Sequence, residues 1–273
     1  YTSLPYLKNK FAISYAYSAT LMIETKTTTN EVPQNYYLAF APVFPKGLPS
    51  NTRGMAFVKK NYSPDSTMEV PRTQLLSTRD EVLGIQRVFK KSFGAWGRFE
   101  DWLVGKTKIY FENEANEQRV KSGDLQKYRY VHFATHGFAN ESTPELSGLV
   151  FMPDSTSMED DVLHLNEVYN LALNAELVAL SACETGVGKV AMGEGMISLA
   201  RGFFYAGARN LLVSQWQVND QSTSQLMIKF YEEMLSGKSK AASLNAAQNY
   251  LIRAYPNAYS APFYWAPYVI IGQ

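Results

Sequence analysis

Short apolar runs alternate with amphipathic stretches along much of the chain. Residues 129–134, 177–180 and 210–214 are short, largely apolar and bounded by polar or turn-forming residues, as expected for strands buried in a parallel sheet. The stretch 195–206 instead repeats its apolar residues at helical spacing, with Leu199 and Phe203 on one face. Because such strands alternate with such helices, we predict an α/β fold with a mostly parallel sheet covered on both faces.

The same pattern predicts the remaining elements. Ser77 and Thr78 open a helix whose first turn carries Asp80 and Glu81, the charge that a helix N-terminus favours. Further strands are predicted at 10–17, 37–42, 108–111, 148–152 and 264–271, and further helices at 18–24, 113–120, 165–172, 221–235 and 241–255. Residues 43–78 are rich in Pro, Ser, Asn and Gly and are expected to be irregular, with a short hairpin around 55–59.

Length and composition exclude several classes of protein. The chain has 273 residues, of which 46% are hydrophobic and 19% charged, an ordinary globular composition with room for one large domain or two closely packed ones. A single cysteine excludes an internal disulfide and fits a reducing compartment, so we expect a cytoplasmic protein. The chain contains no run of about 18 apolar residues, so no membrane span is predicted. The chain begins with neither a signal peptide nor Met, and we expect it to be part of a longer protein.

Charge is distributed unevenly along the chain. Residues 1–130 carry 19 Lys and Arg against 12 Asp and Glu, whereas residues 131–273 carry 7 against 13. The acidic second half would attract a basic substrate by long-range steering. The basic first half has no long run of basic residues and no nucleic-acid motif, so direct contact with nucleic acid is not expected.

The strongest candidate for chemistry is the pair His136 and Cys183. Each follows a predicted strand and is followed by glycine within three residues, and 47 residues separate them, enough for an intervening strand and crossover. If the two strands are neighbours, both side chains lie at one edge of the sheet, where α/β folds place reactive groups. A thiol beside an imidazole makes a nucleophile at neutral pH, and the backbone N–H groups of Gly137 and Cys183 are candidates for an oxyanion hole. The alternative for the lone cysteine is a small buried apolar residue.

Other sites are weaker. His132 lies inside a predicted strand and is expected to be structural, and His164 to be incidental. The sequence HFATH lacks the glutamate of a zinc-protease motif. Residues 186–191 fit a dinucleotide-binding glycine pattern, but no acid for a ribose follows at 204–214. We therefore expect no metal and no cofactor.

Residues 129–273 strongly resemble the CHAT domain, a branch of the caspase-like cysteine peptidases related to separase, and residues before 129 match it more loosely. The matching stretches are HFATHG, SGLVF, LSACETGVG, GEGMISLARGFFYAGARNLLVSQWQVND, TSQLMIKFYEEML and FYWAPYVIIG. The resemblance implies a caspase-like three-layer α/β/α sandwich, with residues 1–105 as an N-terminal, degenerate caspase-like subdomain and 106–273 as the peptidase subdomain. It also implies His136 as general base, Cys183 as nucleophile, and fusion to an upstream sensor such as tetratricopeptide repeats.

The resemblance also suggests a substrate pocket. In separase-like relatives an aspartate shortly after the strand tryptophan binds a basic P1 side chain, and Asp220 occupies that position here. A carboxylate near the nucleophile would pair with Arg or Lys, although Asp220 could equally cap the helix that follows. Glu184 beside the nucleophile and Trp216 are further candidates for this pocket, with core packing as the alternative for Trp216.

These observations predict a cysteine endopeptidase that uses a Cys183–His136 dyad and cleaves a protein or peptide substrate after a basic residue, under the control of a fused or bound sensor. Two alternatives stay open. One is a non-catalytic CHAT scaffold or signalling module, and the other is a cysteine amidase or acyltransferase acting on a small molecule.

Overall fold

A six-stranded sheet forms the centre of the structure, a computed structural model that describes residues 4–16, 33–44, 77–94, 106–138, 143–181, 194–216 and 218–272. Its strands are β1 (Asn35–Ala41), β2 (Thr107–Phe111), β3 (Tyr128–Phe133), β7 (Leu177–Leu180), β8 (Leu211–Ser214) and β9 (Tyr268–Ile271). The spatial order is β2-β1-β3-β7-β8-β9. Every neighbouring pair is parallel except β8 and β9, so the carboxyl ends of β3, β7 and β8 share one edge.

A small antiparallel sheet is inserted in the chain between β3 and β7. It consists of β4 (Gly137–Phe138), β5 (Gly148–Val150) and β6 (Val162–His164). The register pairs Gly137 with Leu149, and Leu149 with Leu163. Because β3 and β7 are direct neighbours in the large sheet, this small sheet serves as their crossover connection.

Seven α-helices are described. They are α1 (Thr78–Gly94), α2 (Glu117–Lys121), α3 (Leu165–Val168), α4 (Glu194–Tyr205), α5 (Asp220–Leu235), α6 (Lys240–Ala254) and α7 (Pro262–Trp265). Polar side chains cap the starts of the long C-terminal helices: Asn219 accepts the N–H of Ser222, and Ser239 accepts that of Ala242. Such caps satisfy backbone donors that the helix itself leaves unpaired.

The central sheet is buried on both faces. Along β3, Val131 and Phe133 face a core built with α3, α4 and the small sheet, whereas Tyr130 faces a second core built with α1, α5, α6 and α7. Each fully buried apolar side chain of this kind contributes about 2 kcal/mol by leaving water. The result is three layers with the sheet in the middle, which confirms the predicted α/β class with a mostly parallel sheet.

Some predicted elements differ from the structure. The strand expected at 10–17 makes a single bridge, from Tyr15 to Ile271. The strand expected at 264–271 begins only at Tyr268, because Pro262 opens the one-turn helix α7 before it. The helix expected at 165–172 is also a single turn. The helix expected at 18–24 and the hairpin around 55–59 lie outside the described residues.

Strand β1, from the N-terminal part of the chain, lies between β2 and β3 in the central sheet. The subdomain boundary between residues 105 and 106 stays a prediction. Among the described residues, no helix is both long enough and apolar enough to cross a membrane.

Candidate active site

The strands that precede the two candidate reactive residues are neighbours. Strands β3 and β7 pair in parallel, with Phe133 opposite Leu180, and the N–H of Ser181 donates to the carbonyl of Phe133 at 3.0 Å. His136 comes three residues after Phe133, and Cys183 three residues after Leu180. The chain therefore leads to both residues from one edge of the sheet. Cys183 itself lies outside the described residues.

His136 is held against the small sheet and is fully buried. Its ring stacks on Phe44, with centroids 5.3 Å apart and an interplanar angle of 24°. The N–H of Val150 donates to the His136 carbonyl at 2.8 Å, and the Thr135 hydroxyl donates to the Val150 carbonyl. Backbone and ring are thus both fixed by packing, as a positioned catalytic group requires.

The next residue, Gly137, leaves its N–H out of the small sheet's ladder. Because Val150 donates to the carbonyl of His136, those two residues form a hydrogen-bonded position of the antiparallel pair. Gly137, opposite Leu149, is then a non-hydrogen-bonded position whose N–H points away from β5. An N–H that the ladder does not use is a prerequisite for a backbone oxyanion donor.

The end of β7 is clamped by a buried tyrosine. The hydroxyl of Tyr268 donates to the carbonyl of Ser181 at 2.5 Å and lies 2.9 Å from the Thr223 hydroxyl. The hydroxyls of Ser181 and Ser214 are buried and have no hydrogen-bond partner among the described residues. The edge of the sheet that leads to Cys183 is therefore polar, buried and anchored to β9 and α5.

The predicted pocket residues that the structure describes lie just beyond β8. Trp216 is half-buried and donates its indole N–H to the Phe263 carbonyl at 3.3 Å. Asp220 begins α5, but Asn219 caps the helix, so the alternative of Asp220 as that cap is wrong. Burial raises the pKa of the Asp220 carboxyl, against the hydrogen bond from the Ser77 N–H, and the charge of Glu81 raises it further. Glu184 lies outside the described residues.

The other two histidines have structural partners. His132 is fully buried, with Nε2 2.7 Å from Glu81 Oε1 and Nδ1 3.3 Å from the Tyr231 hydroxyl. His164 precedes α3 and has Nδ1 3.2 Å from the Leu146 carbonyl. Neither contributes to the edge where β3 and β7 end, in agreement with the sequence-based expectation.

A cluster of three carboxylates lies apart from this edge. Glu117, Glu159 and Glu167 have carboxylate oxygens within 4.8 Å of one another. The Lys121 ammonium binds all three, at 2.5 Å, 2.6 Å and 2.6 Å respectively. It therefore takes the position that a cation would need.

Sequence reasoning missed Tyr268 and the link from Ser77 to Asp220. Tyr268 gives no signal in the sequence, because its role depends on β9 turning antiparallel beside β8. From the sequence, Glu81 is identifiable only as an acid in the first turn of a helix, because its partner His132 lies 51 residues away.

Comparison with known proteins agrees with the fold. The chain is 29% identical over 190 residues to tetratricopeptide repeat protein 28 of Mus musculus, an alignment covering 58% of this chain. It matches tetratricopeptide repeat protein 28 of Homo sapiens to the same extent. The chain spans 8% of the length of each relative. A family model of the CHAT domain matches residues 2–273, and the chain therefore belongs to the CHAT domain family.

Proposed function

We propose that the chain is a cysteine endopeptidase in which Cys183 is the nucleophile and His136 the general base. The observation that carries this proposal is the pairing of β3 with β7, with Phe133 opposite Leu180. Each of the two reactive residues follows the end of its strand by three positions. Neighbouring parallel strands that end in step deliver a thiol and an imidazole to one place.

In the proposed reaction, His136 acts alternately as a base and as an acid. His136 takes the proton of the Cys183 thiol, and the thiolate attacks the carbonyl carbon of the scissile peptide bond. The N–H groups of Gly137 and Cys183 bind the oxyanion of the tetrahedral intermediate. His136 then gives its proton to the departing amine, leaving an acyl-enzyme thioester. A water molecule, deprotonated by His136, attacks the thioester, releases the acid and restores the thiol.

We assign the preference for a basic P1 residue to Asp220, and we keep Glu184 and Trp216 as further candidates for the same pocket. Two observations support this assignment. Asp220 is half-buried, and it lies two residues beyond Val218 at the carboxyl edge of the sheet. A carboxylate that is partly withdrawn from water binds Arg or Lys more strongly than an exposed one does. The acidic second half of the chain favours the same substrates.

Regulation by a sensor is part of the proposal. The relatives matched here are named for tetratricopeptide repeats, and this chain spans 8% of their length. We propose that a fused or bound module of this kind controls the domain.

A second candidate is a non-catalytic scaffold, which the burial of His136 favours. Its imidazole is 0% exposed and stacks on Phe44, so a substrate cannot reach the ring without a movement of its surroundings. A scaffold would keep this packing permanently, whereas a peptidase would open it when its activator binds.

A peptide panel distinguishes the candidates. Fluorogenic peptides with Arg, Lys, Asp or Leu at P1 are offered to the complete protein, with and without its natural partner domains. We expect cleavage after Arg or Lys, and a loss of at least about 10³-fold in kcat for Cys183→Ala and for His136→Ala. Because Cys183 is the only cysteine of this chain, labelling of the domain by an Arg-containing acyloxymethyl ketone that is lost in Cys183→Ala reports on it. If the protein shows no turnover and no labelling under any condition, the peptidase proposal is wrong. Turnover of small amides but not of peptides would indicate an amidase.

A further inference from the structure

Among the described residues, the Asp220 carboxylate is held through one of its two oxygens. Its Oδ2 accepts the N–H of Ser77 at 3.1 Å, a bond that joins the start of α5 to the start of α1. Its Oδ1 accepts no hydrogen bond from any residue in the described part of the chain. One oxygen is therefore fixed, and the other is left for a further donor.

Ser77 owes its position to the first turn of α1. The carbonyl of Ser77 accepts the N–H of Glu81 at 2.9 Å, which makes Ser77 the residue that precedes the helix and directs its own N–H outward. Asp220 thus lies at the N-termini of two long helices, α1 and α5. The positive ends of both helix dipoles favour a carboxylate there.

Glu81 anchors this turn to the sheet. Its side chain is 3% exposed and lies 2.7 Å from His132 Nε2, and His132 Nδ1 lies 3.3 Å from the hydroxyl of Tyr231 on α5. In the neutral ring, Nε2–H donates to Glu81 and Nδ1 accepts from Tyr231. One buried chain of contacts therefore connects α1, β3 and α5.

The same two helices pack closely along their length. A Cβ on Gly84 of α1 would lie 2.4 Å from Cδ1 of Ile228 on α5. The absence of a side chain at Gly84 thus lets the two helices approach closely, and this packing and the Glu81–His132 contact both support the position of Ser77 beside Asp220. Strand β3, which carries His132, also leads to His136 four residues later.

We propose that Glu81 is a positioning residue for the substrate pocket: anchored by His132, it orients the first turn of α1 so that Ser77 holds one oxygen of Asp220 and leaves the other for a basic side chain. This inference rests on the proposed function, because it specifies how that pocket selects its substrate. It assigns His132 and Glu81 a role in specificity, beyond filling the core.

The test compares a charged P1 residue with its neutral isostere. Peptides with Arg or citrulline at P1 are assayed with wild type, Glu81→Ala, Glu81→Gln and Ser77→Pro. Misplacing a contact of this kind by a fraction of an ångström costs about tenfold, so we expect the Arg-to-citrulline ratio of kcat/KM to fall about tenfold in Glu81→Ala. Glu81→Gln keeps an acceptor for His132 and should retain the ratio.

Ser77→Pro and one further variant, Asp80→Asn, protect the test against a simple folding defect. Ser77→Pro removes the donor to Asp220 directly, because proline has no N–H, and should lower the ratio as Glu81→Ala does. Asp80→Asn removes a charge from the same helical turn at an exposed position and should leave the ratio unchanged. The ratio is insensitive to the fraction of folded enzyme, since both peptides are measured on one preparation.

The outcomes separate this inference from the proposed function. A wild-type ratio of one, or no cleavage at all, would contradict the basic pocket and this inference with it. A high wild-type ratio that persists in Glu81→Ala and Ser77→Pro would contradict the positioning role alone. If Glu81→Ala does not fold, the Ser77→Pro ratio decides.

Discussion

Replacing Glu117 by glutamine should flatten the pH dependence of folding stability between about pH 5 and pH 7. Glu117 is 1% exposed and its carboxylate lies 2.5 Å from the Lys121 ammonium. Burial raises the pKa of the Glu117 carboxyl from 4.5 to about 7; the hydrogen bond from Lys121 opposes the rise, and the charges of Glu167 and Asp160 add to it. The folded protein therefore keeps a proton that the unfolded chain loses in this range.

The sign and size of the effect follow from these two pKa values. Between 4.5 and about 7 the folded state binds more protons than the unfolded state, so the free energy of unfolding falls as the pH rises. The fall is up to about 1.4 kcal/mol per pH unit, or about 2 kcal/mol between pH 5 and pH 7. Above the folded pKa both states are ionised and the contribution is constant. The glutamine variant has no titrating group at this position and should lose this slope.

Urea unfolding followed by tryptophan fluorescence, at constant ionic strength and several pH values, measures the slope. Glu159→Gln is the matched control, because Glu159 binds the same Lys121 at 2.6 Å from a side chain that is 34% exposed. We expect that control to keep the wild-type slope. Burial lowers the pKa of His164, but the hydrogen bond and charge of Asp160, with the charge of Glu167 and the Leu146 carbonyl, raise it overall. His164 therefore adds a slope of the same sign in every variant.

Parallel curves for wild type and Glu117→Gln would refute the reasoning. They would mean that the folded protein holds no proton on Glu117, and that the Lys121 ammonium compensates fully for burial of the carboxylate.

Three further variants test individual contacts. Gly207→Ala should lower the free energy of unfolding by about 2 kcal/mol or more, because Gly207 has φ +110° and a Cβ would lie 2.2 Å from the Leu173 carbonyl; thermal unfolding measures it. Asn219→Ala should cost about 1 kcal/mol through loss of the helix cap, and an unchanged melting temperature would contradict that role. Tyr268→Phe should lower the free energy of unfolding by about 1–2 kcal/mol, because the buried Ser181 carbonyl loses the Tyr268 donor. In steady-state peptide assays, kcat should fall and KM should change less.

Elements with strong local signals could be predicted from the sequence. The strand expected at 177–180 is observed as Leu177–Leu180, because a buried parallel strand is an uninterrupted apolar run. The long helices α1 and α5 begin within a residue of their predicted starts, where Thr78 and Asn219 mark the change from turn to helix. These features depend on short-range preferences that the chain carries locally.

Elements that depend on distant partners could not be predicted. Strand β4 has two residues and β6 three, too few for an alternating pattern to distinguish them from a loop. Residues 10–16 alternate as a strand should, but only Tyr15 reaches β9. The bond from Ser77 to Asp220 joins residues 143 positions apart, and nothing in either local sequence indicates it.

The crossover between β3 and β7 has a consequence for the order in which the domain is assembled. During synthesis, His136 emerges 47 residues before Cys183, with the small sheet folding between them. Strand β7 has β8 on its other side, and β8 has β9, which supplies the Tyr268 contact to Ser181. The contact that holds the end of β7 therefore forms only when the last strand docks. For the proposed dyad, this order means that the edge supporting Cys183 is complete only after the C-terminal strand has been made.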